Sequence, residues 1–163
     1  MILNYNTGLA IFALKIKNMG ISDYNLSGDQ QRNIDHFASI VRMALADEIV
    51  SAGEEKLLKR LAKRFHILED KYKDIIENPS NYPVDAPLSY DKRIERLFDL
   101  SKMVIADDQV SDGELSVLRR VSVGLGFPVN NVDKIADEAV RLVSEDADVE
   151  DFTKVIKRVN VIS

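Results

Sequence analysis

Met43-Ala-Leu-Ala-Asp-Glu-Ile-Val-Ser-Ala-Gly-Glu54 and Met103-Val-Ile-Ala-Asp-Asp-Gln-Val-Ser-Asp-Gly-Glu114 align without a gap, sixty residues apart. Extended to Arg60 and Arg120, nine of eighteen positions are identical. Others are swaps in kind: Arg42 with Lys102, Leu45 with Ile105, Glu48 with Asp108, Leu57 with Val117 and Lys59 with Arg119. Self-similarity at a fixed spacing marks an internal repeat, one supersecondary unit written twice whose copies bury a shared core.

Each copy reads as helix, loop, helix. Ile34, Phe37, Ala38, Val41, Ala44 and Leu45 recur at spacings of three and four, one apolar stripe on a helix that starts near Ser27. The stripe stops at Asp47. Ser51 then precedes Glu54 by three residues, the spacing at which each side chain satisfies a backbone N–H of the other's turn. The helix that follows turns Leu57, Leu58, Leu61, Ala62 and Phe65 inward. In the second copy the stripe is Ile94, Leu97, Phe98, Ser101, Val104 and Ile105, the box is Ser111 with Glu114, and the inward face is Leu115, Leu118, Val121, Ser122 and Leu125.

Pro79, Pro83 and Pro87 make 78–89 a linker, since proline removes helical N–H groups and fixes the backbone. Shorter helices are predicted at 69–77 and, past the break from Gly124 to Pro128, at 131–144. A last helix over 149–159 takes Asp148 as its N-cap and buries Phe152, Val155, Ile156 and Val159. The expected fold is therefore all-α, a single-domain bundle of about seven or eight helices built from two pseudo-symmetric helix-loop-helix repeats. Its divisions are an amino-terminal extension (1–26) and a helical domain (27–163), the latter made of repeat one (27–77), the linker (78–89), repeat two (90–145) and a last helix (148–160).

The composition, 45% hydrophobic and 30% charged over 163 residues, suits one soluble globule. No apolar run approaches the roughly 18 residues that cross a bilayer. The apolar stretch Gly8 to Leu14 lacks a preceding basic group, which is the wrong order for a secretory signal, so a cytoplasmic location is expected. Residues 8–17 pack on the domain or touch a membrane surface or a partner, unless translation starts at Met19. Cysteine is absent, which excludes disulfides and thiolate chemistry. The net charge of −5 argues against nucleic acid, because phosphate contacts need clustered Lys and Arg. The stripe Lys56, Lys59, Arg60, Lys63 and Arg64 interleaves with leucines and reads as the wet face of an amphipathic helix.

The acidic loops carry the candidate chemistry. A calcium EF-hand is excluded, because matching Glu114 to its last ligand puts Met103 and Ile105 at its first and third ligands and Asp108 at its glycine. A different oxygen site remains open: Asp47, Glu48 and Glu54 with Asp107, Asp108 and Glu114 could hold a divalent cation such as Ca²⁺ or Mg²⁺, which would relieve carboxylates standing at a helix end. In the structural alternative Asp47 and Asp107 face the positive amino end of the next helix and the glutamates only close capping boxes. No other cofactor is expected. His36 and His66, the only histidines, lack the spacing of di-iron or zinc-protease motifs, and no phosphate loop or nucleophile elbow exists, so no enzymatic activity is expected. His66, ending a basic helix, is expected to cap carbonyls with its side chain.

The doubled Ala-Asp-x-x-Val-Ser-x-Gly-Glu signature, at Ala46–Glu54 and Ala106–Glu114, resembles the TerB family of tellurite-resistance proteins, a relative of which occurs in a membrane-anchored DnaJ-type co-chaperone. The likeness covers about 34–143. It departs where the family has glycine after the aspartate, for here stand Glu48 and Asp108. The resemblance implies pseudo-symmetric helical halves, metal contact by the six acidic residues named above, and a part in stress or tellurite response. The expected function is a non-catalytic binding or scaffold module with a protein partner or a second copy of itself. The acidic run Glu145, Asp146, Asp148, Glu150 and Asp151 offers a face for that contact. The rival readings are a divalent-cation binder and, last, an uncharacterised hydrolase.

Overall fold

Helical stripes of the kind just described bury themselves only against one another, and the computed structural model reveals how. It describes residues 28–45, 50–84, 86–106 and 109–161. The stretch 8–17, Met19 and the carboxylates Asp47, Glu48, Asp107 and Asp108 lie outside the described residues. By its contacts the chain divides into Met1–Arg32 and Asn33–Ser163, and the core is that of the latter.

The fold is all-α. Among the described residues it comprises α1 (Gly28–Ala44), α2 (Ala52–Arg64), α3 (Glu69–Glu77), α4 (Tyr90–Val104), α5 (Asp112–Gly124), α6 (Val132–Ser144) and α7 (Val149–Val161), with short 3-10 turns at Pro79–Asn81 and Val129–Asn131. No described helix is long and apolar enough to cross a membrane.

The expected stripes are the buried ones except at their carboxyl-terminal residues, Leu45, Phe65 and Ile105, which are half-buried. Ile34, Phe37, Ala38, Val41 and Ala44 are buried on α1, and Ile94, Leu97, Phe98, Ser101 and Val104 on α4. Each fully buried Leu, Ile or Phe contributes roughly 1.5–3 kcal/mol of transfer free energy. On α5 the inward face differs from the expected one: Val117 is fully buried, while Leu115 is only half-buried. The reason is packing on several sides, for α5 lies against α2, α4 and α6 at once and its apolar stripe is correspondingly wide. Likewise α7 buries Phe152 and Ile156 completely, but leaves Val155 and Val159 half-buried. The Phe152 ring meets Phe98 edge-on at 5.0 Å, joining α7 to α4.

Both ends of α5 lie sixty residues after those of α2, and the two helices begin and end alike. Ser51 and Ser111 are the N-caps, each in a complete capping box. Beyond each C-cap the backbone turns left-handed, at His66 (φ 55°) and at Gly126 (φ 92°). The Ile67 N–H then donates to the Ala62 carbonyl (2.9 Å) and the His66 N–H to Lys63 (3.2 Å), the paired bonds of a Schellman turn. Phe127 and Gly126 repeat the pattern on Ser122 and Val123. A third such turn closes α6, with Asp146 at φ 57°. His66 therefore does its capping through its backbone N–H and a left-handed φ, which corrects the expectation of a side-chain cap. Asp148 behaves as expected, its Oδ1 accepting the Asp151 N–H at 2.8 Å.

Candidate functional site

The loops singled out by the repeat lead into α2 and α5, and these helices meet at their amino ends. Gly53 and Gly113 stand against each other there. A Cβ on Gly113 would come within 2.9 Å of the Glu54 nitrogen and 3.0 Å of the Gly53 Cα, whereas one on Gly53 would sit 3.1 Å from Ser111 Oγ and 3.4 Å from the Gly113 Cα. Glycine is needed for this approach.

Because the glycines let the helices close, the carboxylates beside them are buried, Glu54 at 5% exposure and Glu114 at 2%. Each carboxylate divides its work. Oε2 of Glu54 accepts the Ser51 N–H at 2.7 Å. Oε2 of Glu114 accepts the Ser111 N–H at 2.8 Å and the Ser111 hydroxyl at 3.1 Å. Oε1 of each faces an arginine of the other helix: Arg120 Nη2 pairs with Glu54 Oε1, and Arg60 Nη2 lies 2.9 Å from Glu114 Oε1. The pairs cross because helical side chains lean toward their own amino end, which carries each guanidinium back to the glycine contact. Arg60 does more, since its Nη2 also donates to the carbonyls of Met103 (2.6 Å) and Val104 (3.0 Å), at the negative end of α4.

Of the six acidic residues expected to form a cation site, Glu54 and Glu114 are thus brought together and each already faces a guanidinium. The other four lie outside the described residues. Among the described residues no group of three or more His, Asp or Glu side chains is placed to hold a metal ion. The expectation that the basic stripe of α2 is wholly solvated is corrected at Arg60, whose side chain is 23% exposed and turned to Glu114. Sequence reasoning passed over both arginines as partners. The available signal was that Arg60 and Arg120 are identical in the repeat while the lysines around them change.

A groove of about 880 Å³ opens between the carboxyl ends of α2 and α4. Phe65 and Met103 supply apolar surface, and Arg60, Lys63, Arg64, Lys102 and, as the single carboxylate among the described residues, Asp99 supply charge. His36 packs on the Phe65 ring with centroids 5.0 Å apart. Lys102 lies over the face of Phe98 at 4.4 Å from its centroid. Desolvation in the groove raises the Asp99 carboxyl above its ordinary range, although the residue keeps solvent contact; Lys102 pulls the other way and Glu95 adds to the rise.

The corresponding place beside Met43 is closed. There Gly124 ends α5, and a Cβ at that glycine would overlap the Met43 side chain. The residues aligned with Met43 and Gly124 are Met103 and Arg64, and both line the open groove. No family model, curated protein or solved structure matches the chain.

Proposed function

We propose that this chain is a non-catalytic binding module assembled from two TerB-like repeats that clasp each other at α2 and α5. The observation that carries the reading is the crossed pairing of Glu54 with Arg120 and of Arg60 with Glu114. It gives the duplicated acidic signature a purpose in holding the halves together, so the surface around it is what remains for function. Helices α2 and α5 with matching ends, caps and left-handed exits support the two-fold design. The histidines point the same way: the His36 ring packs at a tilt against Phe65, and His66 is used for its backbone. A part in stress or tellurite response rests on the resemblance of the loops alone.

The test is photo-crosslinking in cells with a benzoyl-phenylalanine side chain placed in turn at exposed positions around the domain. A discrete protein caught at a contiguous subset of positions is the expected result. Crosslinks at none of them would end the reading.

A second reading is favoured by the acidity of the loops, which carry Glu48 and Asp108 in addition to Asp47 and Asp107. In it the loops bind a divalent cation through Asp47, Glu48, Asp107 and Asp108. Calorimetry with Ca²⁺, Mg²⁺, Mn²⁺ and Zn²⁺, on the wild type and on Asp47→Asn with Asp107→Asn, separates the two. Heat that the double variant abolishes would make the cation primary.

A further inference from the structure

The groove between the carboxyl ends of α2 and α4 has a charge opposite to that of the chain around it. The protein carries 22 Lys and Arg against 27 Asp and Glu. Yet among the described residues Arg60, Lys63, Arg64 and Lys102 line this one groove with Asp99 as the lone acid. Arg60 is committed to Glu114 and the α4 carbonyls, and Lys102 is shared between Asp99 and the Phe98 face. Lys63 and Arg64 pair with no carboxylate among the described residues, and both are exposed. Unpaired cations at a helix carboxyl end sit favourably with the dipole and remain available to an outside anion.

The groove exists because the two halves differ here. Met43 of the first repeat is sealed against Gly124 of the second, whereas the aligned methionine, Met103 of the second repeat, is half-buried and faces Arg64, which stands where the other copy has the glycine. We propose that this groove receives an acidic peptide segment of a partner protein, whose carboxylates meet Lys63, Arg64 and Lys102 while an apolar side chain seats on Phe65 and Met103. The proposal rests on reading the domain as a binding module and names the class of partner.

Charge complementarity selects an acidic occupant, and the apolar floor selects a peptide among acidic occupants. A partly buried apolar anchor inside a ring of charge is the usual build of a peptide contact. Nucleic acid fits less well. The net charge of −5 repels a polyanion, and Phe65 is already flanked by the His36 and Phe37 rings, which leaves it a poor platform for a base. A membrane fits less well again, because the apolar surface lies inside a groove and does not project.

The probe is a fluorescein-labelled decapeptide of glutamates with two central leucines, titrated against the full chain and read by anisotropy. Saturable binding that weakens with salt is expected, with chemical-shift changes at Phe65 and Met103. Lys63→Gln with Arg64→Gln is expected to weaken it by about tenfold or more. Lys56→Gln with Lys59→Gln removes the same charge from the same helix outside the groove and is expected to leave binding within about twofold. Equal weakening by both pairs, no saturable binding, or tighter binding of a single-stranded oligonucleotide or of phosphatidylserine vesicles overturns the proposal. Should the first pair of substitutions unfold the chain, shift mapping on the wild type decides, and changes confined to another face overturn it. A cellular partner crosslinked elsewhere on the domain would remove the groove but keep the binding module; absence of any crosslinked partner would remove the module itself.

Discussion

Arg60 places one nitrogen, Nη2, within 3.0 Å of three acceptors: the Glu114 carboxylate and the last carbonyls of α4, those of Met103 and Val104. Arg120, its counterpart on α5, pairs with Glu54. The first pair therefore ties together three helices, and its loss is felt in all of them.

Glu114→Ala should cost about 3–5 kcal/mol, because it leaves a half-buried guanidinium without its counter-charge and opens a capping box. Against a total stability of about 5–15 kcal/mol for a domain, that is a large share. A double-mutant cycle of Glu114→Ala with Arg60→Ala, followed by urea unfolding, should return a coupling of about 1–3 kcal/mol. Strict additivity would mean that the pair contributes nothing of its own.

Gly113→Ala should destabilise by about 1–3 kcal/mol, since the new methyl has only backbone and the Ser51 hydroxyl to push against. Gly53→Ala has more room, and the better helix propensity of alanine, about 1 kcal/mol, offsets the crowding. Its unfolding midpoint should move little. Equal losses at both positions would contradict the geometry of the contact.

His66 and Asp146 hold left-handed backbone without being glycine. His66→Gly and Asp146→Gly should each stabilise by about 0.5–1 kcal/mol, as strain relief outweighs the greater entropy of glycine in the unfolded chain. Calorimetry should register a rise of about 2–4 °C per kcal/mol in Tm. Gly126→Ala, at φ 92° and with Arg93 Nη1 only 2.7 Å from the added carbon, should go the other way.

Glu138 titrates below an ordinary glutamate, first because Arg141 donates to it, Nη2 to Oε1 at 2.5 Å and Nε to Oε2 at 3.1 Å, and despite a partial burial that opposes the shift. A depressed folded-state value means that the stabilisation is complete above the unfolded value of about 4.3 and disappears as pH falls through the folded one. Carboxyl NMR titration should find the Glu138 midpoint low in the wild type and restored by Arg141→Gln. An unchanged midpoint in that variant would assign the shift elsewhere.

Much of the fold was legible because periodicity and capping are local. The spacing of Ile34, Phe37, Ala38 and Val41 declares a buried stripe whatever it packs against, and Ser51 with Glu54 declares a helix start. The site was less legible because its partners are remote in sequence. Nothing near Glu54 announces Arg120, and a glycine at a helix entry reads the same whether it eases a turn or admits a neighbouring helix. His66 misled for a related reason, since its ring invites a chemical role when its backbone φ is what the turn uses. Val117 is readable from its alignment with Leu57, whereas the spacing along α5 alone points to Leu115.

Crossed ownership of charge has a consequence for inheritance. Position 54 and position 120 answer to each other, as do 60 and 114, so a lineage that loses one member strands the other and gains by replacing it too. Splitting the gene within the proline segment would divide both bonds between the products, and each fragment would carry one acid and one base that only a complementary chain, or a twin of itself, could satisfy.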